Sequence, residues 1–240
     1  MSANLLPDES PAHGKITSGL EANTLVGRTI EFVLAELPNW RDDTNRQPEE
    51  SEERLNAQLC KFLQVAARHS LKMVFFQHEE KQTGARRVDL AAFTENQFVG
   101  ATFHTIYEPF LVFEGKRLPP PKGQSKRKRE YVTGGDETSG GIQRFRLGLH
   151  GAGQDMAVMV GYIQKKTPAE WFNQINLWIK QLESEQSSDD LKWLAEDTLF
   201  NFSENKSGCT SIANSSHTRT GKVSSQKIHL KHLWVKMDSD

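Results

Sequence analysis

An α/β fold, a mixed sheet flanked by helices, is what the sequence predicts, and three observations predict it. Two strand-like stretches, "LKMVFFQHEE" and "RVDLAAFT", follow one another across the short turn "KQTGAR", which implies an antiparallel pair. The continuous apolar run "DMAVMVGYIQ" reads as a strand buried on both faces. Helical segments precede and follow that run, and a strand–helix–strand crossover implies parallel pairing with helices laid against the sheet.

The elements follow in order. Residues 1–20 hold two prolines, several small polar residues and little periodic apolar content, so they read as a mobile tail. Residues 21–47 read as a helix and a loop. "TIEFVLAEL", 29–37, sets Ile30, Val33, Leu34 and Leu37 near one helix face, and the chain from Pro38 to Pro48 is polar. A longer helix is expected to begin at Pro48 or Glu49, with Leu55, Leu59, Phe62, Leu63 and Ala66 at helical spacing. Acids crowd its first turn, where they complement the helix dipole. The two hairpin strands come next. A third strand is expected over 109–117, within "FVGATFHTIYEPFLVFEGKRL".

The stretch "PPPKGQSKRKREYVTGGDETSGG" reads as a long loop, of a length that is usually functional or disordered. "IQRFRLGLHG" follows as a short helix with Ile142, Phe145 and Leu149 on one side. After the buried strand, "TPAEWFNQINLWIKQLE" carries the strongest helix signals. Thr167 and Glu170 form a capping-box pattern, Pro168 stands at the first helical position, and Trp171, Ile175, Trp178, Ile179 and Leu182 make the apolar face. "SEQSSDD" reads as a linker. "CTSIANSSHTRT" and "KIHLKHLWVKM", around a Gly-Lys turn, read as a terminal strand pair. The expected organisation is therefore a core over 48–185 and a C-terminal β extension over 186–240 packed on it.

Composition sets bounds. The chain has 240 residues and a net charge of −1, so any grip on a polyanion must come from local clustering. Cys60 and Cys209 stand far apart, with no paired-cysteine or Cys/His pattern, which favours a reducing compartment over a disulfide framework. No stretch has the pattern of a secretory signal, and no apolar run approaches the ~20 residues that span a bilayer. A cytoplasmic protein with no membrane association is expected.

The functional signal lies in "PFLVFEGKRLPPP", 109–121. Glu114 and Lys116 stand two apart on a strand and so share a face where the apolar run ends. Asp89 stands early in the preceding strand, after Val88. If the two strands are neighbours, the three groups meet at one edge of the sheet. The "VD" at 88–89, the "EGK" at 114–116 and the order helix, three strands, helix, strand resemble the PD-(D/E)XK nuclease superfamily from about Glu49 to Gln164. That family's proline before the aspartate is Val88 here.

The resemblance implies a restriction-endonuclease-like fold and a metal-dependent endonuclease that hydrolyses DNA phosphodiesters, in anti-phage defence or DNA processing. Asp89, Glu114 and the Gly115 carbonyl would be ligands of Mg²⁺ or Mn²⁺, and Lys116 the catalytic lysine. Hard cations of this kind take oxygen ligands. The superfamily often adds a first-helix glutamate. Glu52, in phase with Leu55 and Leu59, is the first choice and Glu53 the second. Gln143 on the second helix corresponds to a glutamine that some members use to orient the site. Lys122, Lys126, Arg127, Lys128, Arg129 and Arg144 are candidates for gripping a nucleic-acid backbone, contacts that supply affinity without sequence choice. The implied partners are DNA, an ATPase or helicase subunit of a defence system, and a second copy in a homodimer. Two alternatives stand beside this reading: a non-catalytic nucleic-acid-binding or assembly subunit, and an RNA nuclease. Solvated charges at strand ends are the plain reading of Asp89, Glu114 and Lys116. His78, His104 and His150 read as ordinary histidines. His217, His229 and His232 read as packed in the terminal strand pair rather than as zinc ligands.

Overall fold

The computed structural model describes residues 24–49, 51–82, 85–121, 127–134, 139–185 and 191–237. The tail expected at 1–20 and residues 186–190 of the expected linker lie outside these. The elements are α1 (Leu25–Arg41), α2 (Glu52–Ser70), β1 (Val74–Lys81), β2 (Arg87–Thr94), β3 (Gln97–Val99), β4 (Thr102–His104), β5 (Leu111–Leu118), α3 (Gly141–Arg146), β6 (Met156–Ile163), α4 (Pro168–Ser184), β7 (Phe200–Glu204), β8 (Thr210–Thr218) and β9 (Lys227–Lys236).

A seven-stranded sheet in the order β1-β2-β5-β6-β9-β8-β7 organises the chain, with β3 and β4 as a separate hairpin. The pairs β1/β2 and β2/β5 are antiparallel, β5/β6 and β6/β9 parallel, and β9/β8 and β8/β7 antiparallel. The mixed sheet flanked by helices is therefore as expected. α1 and α2 bury Ile30, Val33, Leu37, Leu55, Leu59 and Leu63 on one face. α3 and α4 bury Ile142, Phe145, Trp171, Ile175, Trp178 and Ile179 on the other.

Several boundaries differ for identifiable reasons. α1 continues through Pro38 to Arg41, because one more turn buries Trp40 against Tyr162, ring centroids 5.6 Å apart. That burial offsets the helix-breaking tendency of proline. α2 starts at Glu52, later than Pro48 or Glu49, because Ser51 is its N-cap and accepts a hydrogen bond from Arg54 N. The capping box of α4 forms as expected: Thr167 Oγ1 accepts from Glu170 N, and Glu170 Oε2 accepts from Thr167 N. The C-terminal strands do not make a layer of their own. β9 joins the central sheet through parallel pairing with β6, from Met156↔His229 to Ile163↔Lys236. Among the described residues no helix is long and apolar enough to cross a membrane.

A chain of buried polar groups ties β8 and β9 to the helix layer. Trp234 Nε1–H donates to the Tyr131 hydroxyl (2.8 Å), and Tyr131 meets His232 Nδ1 (2.8 Å). His232 Nε2 and His217 Nε2 both reach the Ser215 hydroxyl, at 2.8 and 2.7 Å. His217 Nδ1 meets Asp197 Oδ1 at 2.8 Å, and Asp197 Oδ2 pairs with Arg146 at 3.2 Å. An indole N–H only donates and an ionised carboxylate only accepts. Those two ends fix one proton order: Tyr131 donates to His232, His232 to Ser215, Ser215 to His217, and His217 to Asp197. Both imidazoles are neutral in this order. Burial lowers the pKa of both histidines, and His232 lies well below the usual value. For His217, burial outweighs the opposing pull of Asp197.

A depressed histidine pKa means that the unfolded chain takes up protons first as pH falls. Stability is then full above about pH 6.5 and is lost below it, at about 1.4 kcal/mol per pH unit for each histidine. Asp89, whose carboxyl burial raises to about 8 in the fold, contributes a slope of opposite sign up to that pH. The test is therefore made in an Asp89→Asn background, where thermal melts should hold steady from pH 8 to 7 and drop between pH 6.5 and 5. A melting temperature flat across that interval would contradict the neutral, buried assignment of both rings.

Candidate active site

The site begins where two strands part. The β2/β5 ladder runs from Ala92↔Leu111 to Leu90↔Phe113 and goes no further, while β5 continues to Leu118 on its pairing with β6. The N–H groups of Gly115 and Arg117 point to the side that β2 has left, and a buried N–H needs an acceptor. Side-chain carboxylates provide them. Asp89 Oδ2 accepts from Gly115 N (2.8 Å), and Glu52 Oε2, from the first turn of α2, accepts from Arg117 N (3.0 Å).

Glu52, Asp89, Glu114 and Lys116 thus converge. Lys116 Nζ lies 2.7 Å from Glu52 Oε1 and 2.9 Å from Glu114 Oε1. Arg144 Nη1 reaches the same Glu114 oxygen at 2.8 Å, and His150 Nδ1 lies 3.1 Å from Glu114 Oε2. That last contact has ion-pair distance but not hydrogen-bond alignment, so Glu114 Oε2 and His150 Nδ1 are both buried without a hydrogen bond. Glu114 is 1% exposed and Lys116 4% exposed. Glu52 keeps 20% of its side chain open.

The charges are tuned by one another. Burial alone would raise the Glu114 pKa, but Lys116, His150 and Arg144 outweigh it and hold the carboxyl ionised. Burial alone would lower that of Lys116, yet Glu114, Glu52 and Asp89 outweigh it and leave it raised. Asp89 goes the other way: burial first, then repulsion from Glu114 and Glu52, pushes its carboxyl up to about 8 despite Lys116.

Glu53 lies exposed on α2 outside this group. Gln143 is buried, and its Oε1 accepts from the N–H groups of Gly134 and Gly140, so it braces the loop before α3. Arg127 pairs with Glu130, Arg129 with Glu185 at 2.9 Å, and Lys128 is exposed. Lys122 and Lys126 lie outside the described residues. The sequence reading missed His150, which was grouped with the ordinary histidines and stands instead against Glu114. It also missed Arg219, whose buried guanidinium binds the carbonyls of Phe145, Gly151 and Gln154 and so fixes the turn that carries His150. Nothing local in the sequence marks either. Asn56 was more legible, as a polar residue one turn after Glu52 on the apolar face.

Among the described residues no three His, Cys, Asp or Glu side chains form a group able to hold a metal ion. Mg²⁺ seldom uses such a cage; one or two carboxylates, waters and substrate phosphates are its usual shell. Asp89 and Glu114 fit that pattern. Glu114 Oε2 is buried with His150 Nδ1 3.1 Å away, and the Asp89 carboxyl is held against its own ionisation by burial and then by neighbouring acids that an added cation would offset. No family model, curated protein or solved structure matches this chain at a significant level.

Gly115 has a packing reason. A Cβ there would lie 2.0 Å from Asn56 Oδ1, and that oxygen is held by the Tyr162 hydroxyl at 2.7 Å. Gly115→Ala should therefore lower stability by about 1–3 kcal/mol in urea denaturation, the usual cost of overpacking. A variant as stable as the parent would show that β5 and α2 are not held this closely.

Proposed function

We propose that this protein is a metal-dependent endonuclease of the PD-(D/E)XK kind, hydrolysing DNA phosphodiester bonds. What carries the reading is the meeting of Asp89, Glu114 and Lys116 at a parted strand edge, with Glu52 on the adjoining helix end closing the group. Asp89 and Glu114 are the residues that would hold Mg²⁺ or Mn²⁺, and such a cation polarises a phosphoryl oxygen and acidifies water. Lys116, kept charged by Glu114 and Glu52, brings an ammonium group to the place where a phosphoryl group gains negative charge in its transition state. Glu52 and Glu114 hold that ammonium between them. Arg144, with 27% of its side chain exposed, has a guanidinium at the rim of the cluster that suits a phosphate oxygen.

One observation favours a second reading, a non-catalytic nucleic-acid-binding subunit. Glu114 is nearly sealed, and one of its oxygens already receives both Lys116 and Arg144.

Incubation of the full chain with supercoiled plasmid, single-stranded DNA and RNA, with Mg²⁺ or Mn²⁺, separates the readings. Cleavage of DNA should fall by about a hundredfold or more in Asp89→Asn and in Lys116→Met, the scale of removing one transition-state contact. DNA bound but uncut by the parent protein would replace the enzyme with the binding subunit. RNA cut in preference to DNA would keep the chemistry and change the substrate. Equal cutting by parent and variants would remove the site from consideration.

A further inference from the structure

A second feature opens beside the acid–lysine cluster, on the opposite face of β5. Side chains alternate along a strand, so Arg117 points away from Lys116. It lines a cavity of about 660 Å³ together with Arg46, Glu49, Pro119, Pro121, Lys165 and Met237. Arg117 and Pro119 close β5, Lys165 follows β6, and Met237 follows β9. The cavity therefore lies outside the carboxyl ends of the three parallel strands, the ordinary place for a ligand in an open α/β sheet.

Its chemistry is specific. Neither Arg46 nor Arg117 forms an ion pair with a carboxylate among the described residues. Arg117 instead donates from Nε (3.1 Å) and Nη2 (2.6 Å) to Gln164 Oε1, a neutral acceptor that orients the guanidinium without cancelling its charge. Arg46 stacks on Trp40, its Cζ 5.1 Å from the ring centroid, and its Nη1 is buried without a hydrogen-bond partner. A buried donor with no partner is rare and points to a ligand. Lys165 adds a third cation at the rim. Glu49 also lines the cavity, its carboxylate engaged by Arg54 Nη1 at 3.1 Å and by Ser51 N–H at 2.8 Å, and prolines and Met237 supply the apolar part of the lining.

We infer that this cavity binds one nucleoside monophosphate unit, with its phosphate on Arg46 and Arg117 and its base against Pro119, Pro121 and Met237. The inference takes its polymer from the nuclease reading: the unit would be an unpaired nucleotide next to the phosphate at Lys116. The binding chemistry does not depend on cleavage. Two cations and an apolar wall suit a ligand with an anion at one end and a flat ring at the other. A duplex cannot place a base in such a cavity without unpairing it, so single-stranded ends or flipped nucleotides are the favoured substrates.

Isothermal titration calorimetry on the full chain tests this, with deoxyadenosine monophosphate, deoxyadenosine and inorganic phosphate as separate probes. The monophosphate should bind more tightly than either part alone. Arg117→Gln and Arg46→Gln should each weaken it about tenfold or more, the worth of a hydrogen bond to a charged group. Lys165→Gln, at an exposed position that folding does not need, should weaken it by a smaller factor. Melting curves of each variant verify folding. The titrations contain no added metal and no polymer to cut, which separates this inference from the cleavage proposal. Binding lost in both arginine variants stands even if no nucleic acid is cut. Phosphate binding as tightly as the monophosphate, or no effect of Arg46→Gln, Arg117→Gln and Lys165→Gln, overturns the inference even if the Asp89-dependent nuclease is real.

Discussion

The parting of β2 from β5 after Leu90↔Phe113 is the constraint on which the rest of the structure depends. A ladder that stops inside a protein leaves backbone donors that must be paired. Here the replacements for the missing strand are carboxylates, Asp89 for Gly115 and Glu52 for Arg117. One defect in the sheet thus does two things. It brings acids from a strand and from a helix terminus to one place, and it makes their positions part of the backbone hydrogen-bonding scheme rather than the whim of long side chains. The first turn of α2 fits this gap because Ser51 caps the helix at the right residue for Glu52 to reach β5.

Gathering Glu52, Asp89 and Glu114 in a poorly hydrated place is unfavourable unless cations accompany them. Lys116 and Arg144 provide two, and both meet a single oxygen of Glu114. The uneven result is that Glu114 is firmly ionised while Asp89 resists ionisation. Two neighbouring carboxyl groups are thus driven to opposite tendencies by what surrounds each, a pattern found at functional sites and in structural ion-pair networks alike. The C-terminal strands matter to this balance although they contribute none of its charges. Asp197 holds Arg146, two residues after Arg144 on α3, and Arg219 holds the turn bearing His150. The wall of Arg144 and His150 against Glu114 is therefore braced by residues from the last fifty of the chain.

How much of this was legible depends on the range of the interaction involved. β2, β6 and α4 are written in local pattern, and their apolar period or capping box names them directly. Asp89, Glu114 and Lys116 were legible because two strand periods and one spacing determine their faces. Glu52 was legible through its phase with Leu55 and Leu59. α1 was cut short because proline is a local signal, whereas the burial of Trp40 against Tyr162 is not. The hairpin β3–β4 hid inside a stretch with too few alternating residues for a strand pattern. His150 and Arg219 were out of reach in principle. Their partners lie 36 and about 70 positions away, and no spacing rule spans such separations.

The alternation of β5 at its end has a consequence for how any polymer could lie on this protein. Lys116 faces the α3 side with Glu114, and Arg117 faces the α2 side with Gln164, yet their backbones are adjacent. A ligand that met both would cross the end of the sheet, not lie along one face. The carboxyl ends of β5, β6 and β9 are where that crossing is open, since Pro119 turns the chain away from β5 and both β6 and β9 stop within a residue or two of the same level. A flexible strand with phosphates spaced along it can bend across such an edge. A straight duplex, stiff over lengths far greater than this domain, cannot do so without local opening. The geometry of one strand end therefore suits a ligand that can bend across the sheet edge over a straight, stiff one, whatever chemistry is performed on it.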